Sequence, residues 1–157
     1  MIIERRWEDL ELGLTVRSPG VTVTEAHLVN WSGLTGDWSS FHVDAVAAAG
    51  SVFGERVAHG PLTLALALGL VTQTGVFGDS IVAWLGLDEV RLPRPVRIGD
   101  TIRVEAEVIE AGETSNPDRG RSVIAYMVRN QYGEAVMSFR SSFLLKRRSP
   151  AGDGALR

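Results

Sequence analysis

From Gly60 to Gly75 the chain reads GPLTLALALGLVTQTG, a stretch with no Asp, Glu, Lys or Arg. Gly60-Pro61 suits the first turn of a helix, where the N–H that proline lacks would be unpaired anyway. Leu62, Leu64, Ala65, Leu66, Leu68, Gly69 and Val71 then cover nearly the whole circumference. A helix that is apolar all round needs neighbours on every side, so the segment predicts a buried central helix ending near Gly75. It is well short of the roughly 20 apolar residues a membrane-spanning helix needs.

What can enclose such a helix follows it in the chain. Ile81 to Leu92 is strand-like. Thr101 to Ala111 alternates, with Ile102, Val104, Ala106 and Val108 on one face and Arg103, Glu105 and Glu107 on the other. Arg121 to Arg129 is apolar on both faces, which predicts a central strand, and Asn130 to Gly133 turns into a last strand, Ala135 to Leu145. Ahead of the helix lie a short strand-like piece, Thr15 to Val23, and a helix capped by Thr24 that Gly33 is expected to stop. Helices first and antiparallel strands afterwards predict an α+β class, a curled antiparallel sheet holding one buried helix.

At 157 residues the chain is expected to form a single domain over 1–148, with a loose tail at 149–157. A net charge of −3 and no dominant basic face speak against nucleic-acid or membrane-surface partners. The absence of cysteine removes disulfides and thiolate chemistry together. The start, Met1-Ile-Ile-Glu-Arg-Arg-Trp, lacks the apolar core of a secretory signal, so a cytoplasmic location is expected.

The chemistry gathers in Gly36-Asp37-Trp38-Ser39-Ser40-Phe41-His42-Val43-Asp44, where a carboxylate and an imidazole stand five residues apart on a predicted loop. Phe53-Gly54-Glu55-Arg56-Val57-Ala58-His59-Gly60 follows and runs straight into the central helix. The first stretch supplies proton transfer. The second supplies backbone N–H groups aimed at negative charge, as chemistry beside a carbonyl requires. Each residue also has a plainer reading. Asp37 could simply form a turn, and His42 could be a half-buried imidazole bonded to backbone. Asp44 reads as the N-cap of the Ala-rich segment after it. His27 reads as an inert residue on a polar helix face. No two of the three histidines have metal-ligand spacing, so no metal is expected. Trp31, Trp38, Phe41 and Phe53 read first as core packing.

Taken together, Gly36-Asp37-x-x-x-x-His42-x-Asp44, Phe53-Gly54…Ala58-His59-Gly60 and Leu92-Pro93-Arg94-Pro95-Val96-Arg97-Ile98-Gly99-Asp100-Thr101 resemble the MaoC-like dehydratases, the R-specific enoyl-CoA hydratase or hydratase 2 family. The likeness runs over roughly residues 8 to 147. It implies the hot-dog fold, an antiparallel sheet wrapped around one long helix, assembled as a homodimer or a dimer-based oligomer. It implies that Asp37 and His42 hold one water and move its proton during hydration of a trans-2-enoyl thioester to an R-3-hydroxyacyl thioester, or the reverse. The Gly60 N–H would bind the thioester oxygen, and His59 would fix the helix entry or touch the substrate. Trp38 and Phe41 could line the acyl pocket, and Arg94 could meet the phosphates of coenzyme A rather than belong to a solvated cluster with Arg91 and Arg97. Coenzyme A would enter as part of an acyl-CoA substrate, with no separate cofactor.

Two departures stand out. Family members typically read Asp-x-Asn-Pro-x-His, and this chain has Ser39 and Ser40 at the Asn and Pro positions. Some members carry a serine on the central helix where this chain has Ala67-Leu68-Gly69. Thioester hydrolases and carrier-protein dehydratases of the same fold generally carry a carboxylate on the central helix, which is lacking from Gly60 to Gly75. A non-catalytic acyl-thioester-binding or structural role is the remaining alternative.

Overall fold

The computed structural model of the protein describes residues 4–148, so the expected tail at 149–157 lies outside the described residues. Six strands form an antiparallel sheet in the order β1-β4-β5-β6-β3, with β2 pairing on β4. The strands are β1 (Thr15–Arg17), β2 (Val21–Thr22), β3 (Ile81–Arg91), β4 (Thr101–Glu113), β5 (Arg119–Arg129) and β6 (Ala135–Lys146). The helices are α1 (Glu25–Thr35), α2 (Ser40–Val43), α3 (Ala45–Ala49) and α4 (Gly60–Thr72).

The period-two pattern lands as expected. Ile102, Val104, Ala106 and Val108 are buried, while Arg103, Glu105 and Glu107 face solvent. β5, apolar on both faces, lies between β4 and β6. The expected first strand is split, because Ser18-Pro19-Gly20 interrupts pairing on β4 between β1 and β2.

Three local expectations need correction. Thr24 caps α1 as expected, but the helix runs through Gly33 to Thr35. Gly33 costs helix stability without breaking it, whereas Gly36 sits at φ 77°, a left-handed geometry that suits glycine, and ends the helix there. The central helix ends at Thr72 and not near Gly75, which instead occupies a following turn at φ 73°. Nor is that helix enclosed on all sides. Leu62, Thr63, Ala67, Leu70 and Val71 are buried against the sheet, but Ala65 is exposed and Leu64, Leu66 and Leu68 are half-covered. One sheet can wrap only one side of a helix. The edge strand β3 beside it leaves Ile81, Val82, Trp84 and Leu85 between 40% and 52% exposed, so an apolar surface continues from α4 onto the edge.

Among the described residues no helix is long and apolar enough to cross a membrane.

Candidate active site

The left-handed Gly36 turns the chain out of α1 and delivers Asp37, whose N–H donates to Thr35 Oγ1 at 3.3 Å. Ser39 then holds the carboxylate: its hydroxyl donates to Asp37 Oδ1 at 2.7 Å and its N–H to the same oxygen at 3.2 Å. The residue standing in place of asparagine therefore orients the acid through two donors and leaves Oδ2 to other partners. One turn later α2 begins, and its short length puts His42 on the inner side, 6% exposed.

His42 is fixed by the segment before α4. Its Nδ1 donates to the Val57 carbonyl at 2.7 Å, while the Val57 N–H donates to the Phe41 carbonyl at 3.2 Å. Because a carbonyl can only accept, Nδ1 carries the proton and Nε2 offers a lone pair. The Val57 segment is itself anchored. Ala58 N–H donates to the Val96 carbonyl at 2.7 Å, and Arg56 makes a two-pronged pair with Glu25 at 2.7 and 2.5 Å.

His59 is fully buried and stacks on His42, with ring centroids 3.7 Å apart and planes at 26°. Its Nε2 lies 3.2 Å from the Asp37 carbonyl and 3.2 Å from the Ser32 hydroxyl. The carbonyl again assigns the proton, here to Nε2. Nδ1 of His59 is buried without a partner among the described residues. Ser32, fully buried on the inner face of α1, is a site residue the sequence did not disclose. The available signal was a polar residue one turn after buried Leu28 on the same face.

Ligating atoms of Asp37, His42 and His59 all lie within 4.8 Å of one another. Folding thus brings together two histidines that no sequence spacing relates. Nδ1 of His42 and Nε2 of His59 are engaged by backbone, which leaves one ring nitrogen of each imidazole for other partners. The cluster is better built to pass a proton than to hold an ion. Ligating atoms no more than 4.8 Å apart lie within the span of one bridging water.

The electrostatics set the protonation states. The Ser39 hydroxyl, then its N–H, hold the Asp37 carboxyl below its ordinary value, with the two imidazoles adding to the effect. Burial pushes His42 below its ordinary value, against the opposing influence of the Val57 bond and of Asp37. At neutral pH the pair is a carboxylate beside a neutral imidazole.

His59 is the N-cap of α4 and Gly60 its first residue, so the Gly60 N–H belongs to the unpaired first turn of the helix. A Cβ on Gly60 would come within 2.9 Å of Leu92 Cδ2. Leu92 is therefore the immediate crowding partner at this position.

Trp38 is 56% exposed and Phe41 37% exposed, which corrects their reading as core residues. Phe41 packs on the His42 ring at 4.2 Å and on Phe53 at 5.8 Å, making an apolar wall beside the imidazole. Arg94 pairs with Glu134 at 3.4 Å and Arg97 with Glu55 at 2.6 Å, so both guanidinium groups have partners. Arg94, Arg97 and Phe53 line one shallow depression. Asp44 caps α3 as expected, accepting from the N–H groups of Val46 and Ala47. His27 is not idle: its Nδ1 accepts the Thr24 N–H at 3.0 Å and closes the start of α1.

The geometry has counterparts in known proteins. The MaoC like domain matches residues 11–129. Protein MaoC of Klebsiella aerogenes is 41% identical over 98 residues, 62% of this chain but 29% of that protein, so the chain spans under a third of it. 3-Hydroxyacyl-thioester dehydratase Z of Mycobacterium tuberculosis is 35% identical over 101 residues, 64% of this chain and 67% of its own length. Among solved structures, the monoamine oxidase regulatory protein of Archaeoglobus fulgidus superimposes with a TM-score of 0.87 at 33% identity, covering 92% of this chain and 96% of its own. R-hydratase PhaJ1 of Pseudomonas aeruginosa gives 0.75 at 30% identity, covering 91% and 86%. The fold is a hot-dog fold, and the chain belongs to the MaoC-like dehydratase family.

Proposed function

We propose that this protein adds water to a trans-2-enoyl thioester and, in reverse, dehydrates the R-3-hydroxyacyl thioester. The observation that carries this reading is that ligating atoms of Asp37, His42 and His59 lie within 4.8 Å of one another at the opening turn of α4. Relatives named 3-hydroxyacyl-thioester dehydratase and 3-hydroxybutyryl-CoA dehydratase support the same class of reaction.

The protonation states suggest an assignment within the pair. His42 Nε2 takes a proton from the water while the hydroxyl oxygen bonds to C3 and the C2–C3 π electrons move onto the thioester oxygen. The Gly60 N–H stabilises the enolate so formed, a contribution of roughly 10²–10³ in rate for one aimed donor. The imidazolium then returns its proton to C2, and His42 is neutral again. Asp37 accepts a hydrogen bond from the water and stabilises the imidazolium between the two steps. His59 is a positioning residue: it ties the Asp37 backbone to the floor of the site and packs under His42.

A coenzyme A thioester is the proposed substrate. Phe41 and Trp38 line the acyl entrance, and a phosphate of the coenzyme competes with Glu134 for Arg94. The exposed apolar surface of α4 and β3 supports a homodimer in which two copies join along the β3 edge, since an unpaired apolar edge strand invites pairing. The lack of any carboxylate on α4 argues against thioester hydrolysis.

The test is to incubate the protein with trans-2-butenoyl-CoA and follow both the conjugated absorbance and free thiol. Loss of absorbance without thiol release supports a hydratase. Thiol release identifies a hydrolase, and no change in either signal supports a binding role.

A further inference from the structure

Leu92, the first residue after β3, is 52% exposed, yet one of its methyl groups meets the opening turn of α4. A Cβ built on Gly60 would stand 2.9 Å from Leu92 Cδ2. With about 1.5 Å for a Cα–Cβ bond, that methyl lies no more than about 4.4 Å from the Gly60 Cα, which is contact distance for carbon atoms. A large apolar side chain that is half in solvent and half against the proposed oxyanion donor is placed to be felt by a bound substrate.

Its neighbours hold it there. Pro93 fixes its own φ and keeps the residue before it, Leu92, extended. Beyond the proline, the Ala58 N–H donates to the Val96 carbonyl at 2.7 Å, and Val57 and Arg97 form an antiparallel bridge. Arg97 is anchored in turn, its N–H donating to Asp100 Oδ2 at 2.8 Å and its guanidinium pairing with Glu55 at 2.6 Å. The segment that leads into Gly60 and the segment that begins at Leu92 are therefore tied side by side.

What Leu92 can crowd follows from the reaction. The thioester oxygen sits about 2.9 Å from the Gly60 nitrogen in an ordinary hydrogen bond. Asp37 and His42 work on one face of the C2–C3 bond. Conjugation keeps that bond, the thioester carbon and its oxygen in one plane, so a branch on C2 projects from the edge of the plane, two bonds from the carbon that bears the oxygen. Gly60 offers no side chain to meet such a branch. Leu92, packed against the same residue, does.

We propose that Leu92 sets what the site accepts at C2 of the substrate, admitting hydrogen and excluding a methyl branch. One methyl group in a tight apolar site is worth roughly 10- to 200-fold in discrimination. This role rests on the enoyl-thioester reading of the dyad.

The test compares trans-2-butenoyl-CoA with trans-2-methyl-2-butenoyl-CoA as substrates of the unaltered protein, Leu92→Ala and Leu92→Met. A 2-methyl group slows hydration by its own electronic effect, so the readout is how the branched-to-unbranched ratio of kcat/KM changes between variants. Leu92→Ala is expected to raise that ratio about tenfold. Leu92→Met keeps the side-chain volume and is expected to leave it near the unaltered value. Half of Leu92 is already in solvent, so the alanine variant opens no core cavity; should it misfold, Leu92→Val, one carbon shorter, is read in the same way. An unchanged ratio in Leu92→Ala, or no detectable turnover of the branched substrate by it, overturns the role. So does an equal change with both substrates, which would place Leu92 beside the sulfur, or a methionine variant that moves as far as the alanine one. If butenoyl-CoA is hydrated and the ratio stays put, the Leu92 role alone fails. If neither thioester is turned over, the hydratase reading fails and the Leu92 role fails with it.

Discussion

His42 and His59 stack face to face with ring centroids 3.7 Å apart, the first fixed by the Val57 carbonyl and the second by the Asp37 carbonyl. Each imidazole thus holds the segment that bears, or leads to, another part of the site. The loop carrying the acid and the approach to α4 become one unit. This cross-bracing holds the two residues in place although Ser40, which does not fix φ, stands between them.

The acid limb of the pH profile is expected to belong to His42, because Asp37 is held lower still. Burial sets the His42 pKa below its ordinary 6.5, so the midpoint of the acid limb of kcat/KM should lie below 6.5. An acid limb centred at or above 6.5 contradicts the assignment. The same shift bears on stability. The folded state binds this proton less readily than the unfolded chain, so the contribution is intact above the unfolded value and is lost as the pH falls through the folded one.

Ser39→Ala removes the hydroxyl that donates to Asp37 Oδ1 and keeps the backbone donor. The Asp37 carboxyl is expected to titrate at higher pH than in the unaltered protein, toward its ordinary value. Carbon-detected NMR titration of the side-chain carboxyl reads this directly, and an unmoved midpoint contradicts the role given to Ser39.

Ser32→Ala leaves the His59 Nε2–H with the Asp37 carbonyl alone. Loss of one buried hydrogen bond is expected to cost about 1 kcal/mol of stability, measured by denaturant unfolding. Activity should drop less than in His59→Gln, which also removes the stacked ring beneath His42. Equal loss of activity in the two variants contradicts the positioning role of the ring.

Leu85→Lys places a charge on the exposed β3 edge and is expected to convert a dimer to monomer, read by light scattering. A monomeric unaltered protein, or a dimer that ignores the substitution, contradicts pairing along that edge.

The sequence made some of this legible and hid the rest for physical reasons. Asp37 and His42 are visible because one turn and one short helix relate them locally. Gly60-Pro61 announces the start of α4 through backbone chemistry alone. The strand order around β5 follows from its apolar character on both faces. His59 meeting His42, by contrast, depends on the Val57 segment threading between α2 and Val96, a tertiary fact with no periodic trace. Ser32 is hidden for the same reason. Gly33 does not stop α1 because glycine inside a helix costs only about 1 kcal/mol, so the stop falls to Gly36, the position with a positive φ. The helix expected to be buried on every side is covered on one side only, because a single sheet wraps one face of α4 and leaves Ala65 exposed and Leu64, Leu66 and Leu68 half-covered.

Hydration of an enoyl thioester by Asp37 and His42 is tested most directly by single-substrate turnover of the unaltered protein, Asp37→Asn and His42→Gln. Each variant should melt cooperatively, and each should lose roughly 10²–10⁴ in kcat/KM, while the unaltered protein forms the R-3-hydroxyacyl thioester. Near-full activity in either folded variant, or formation of the S product, would contradict the account.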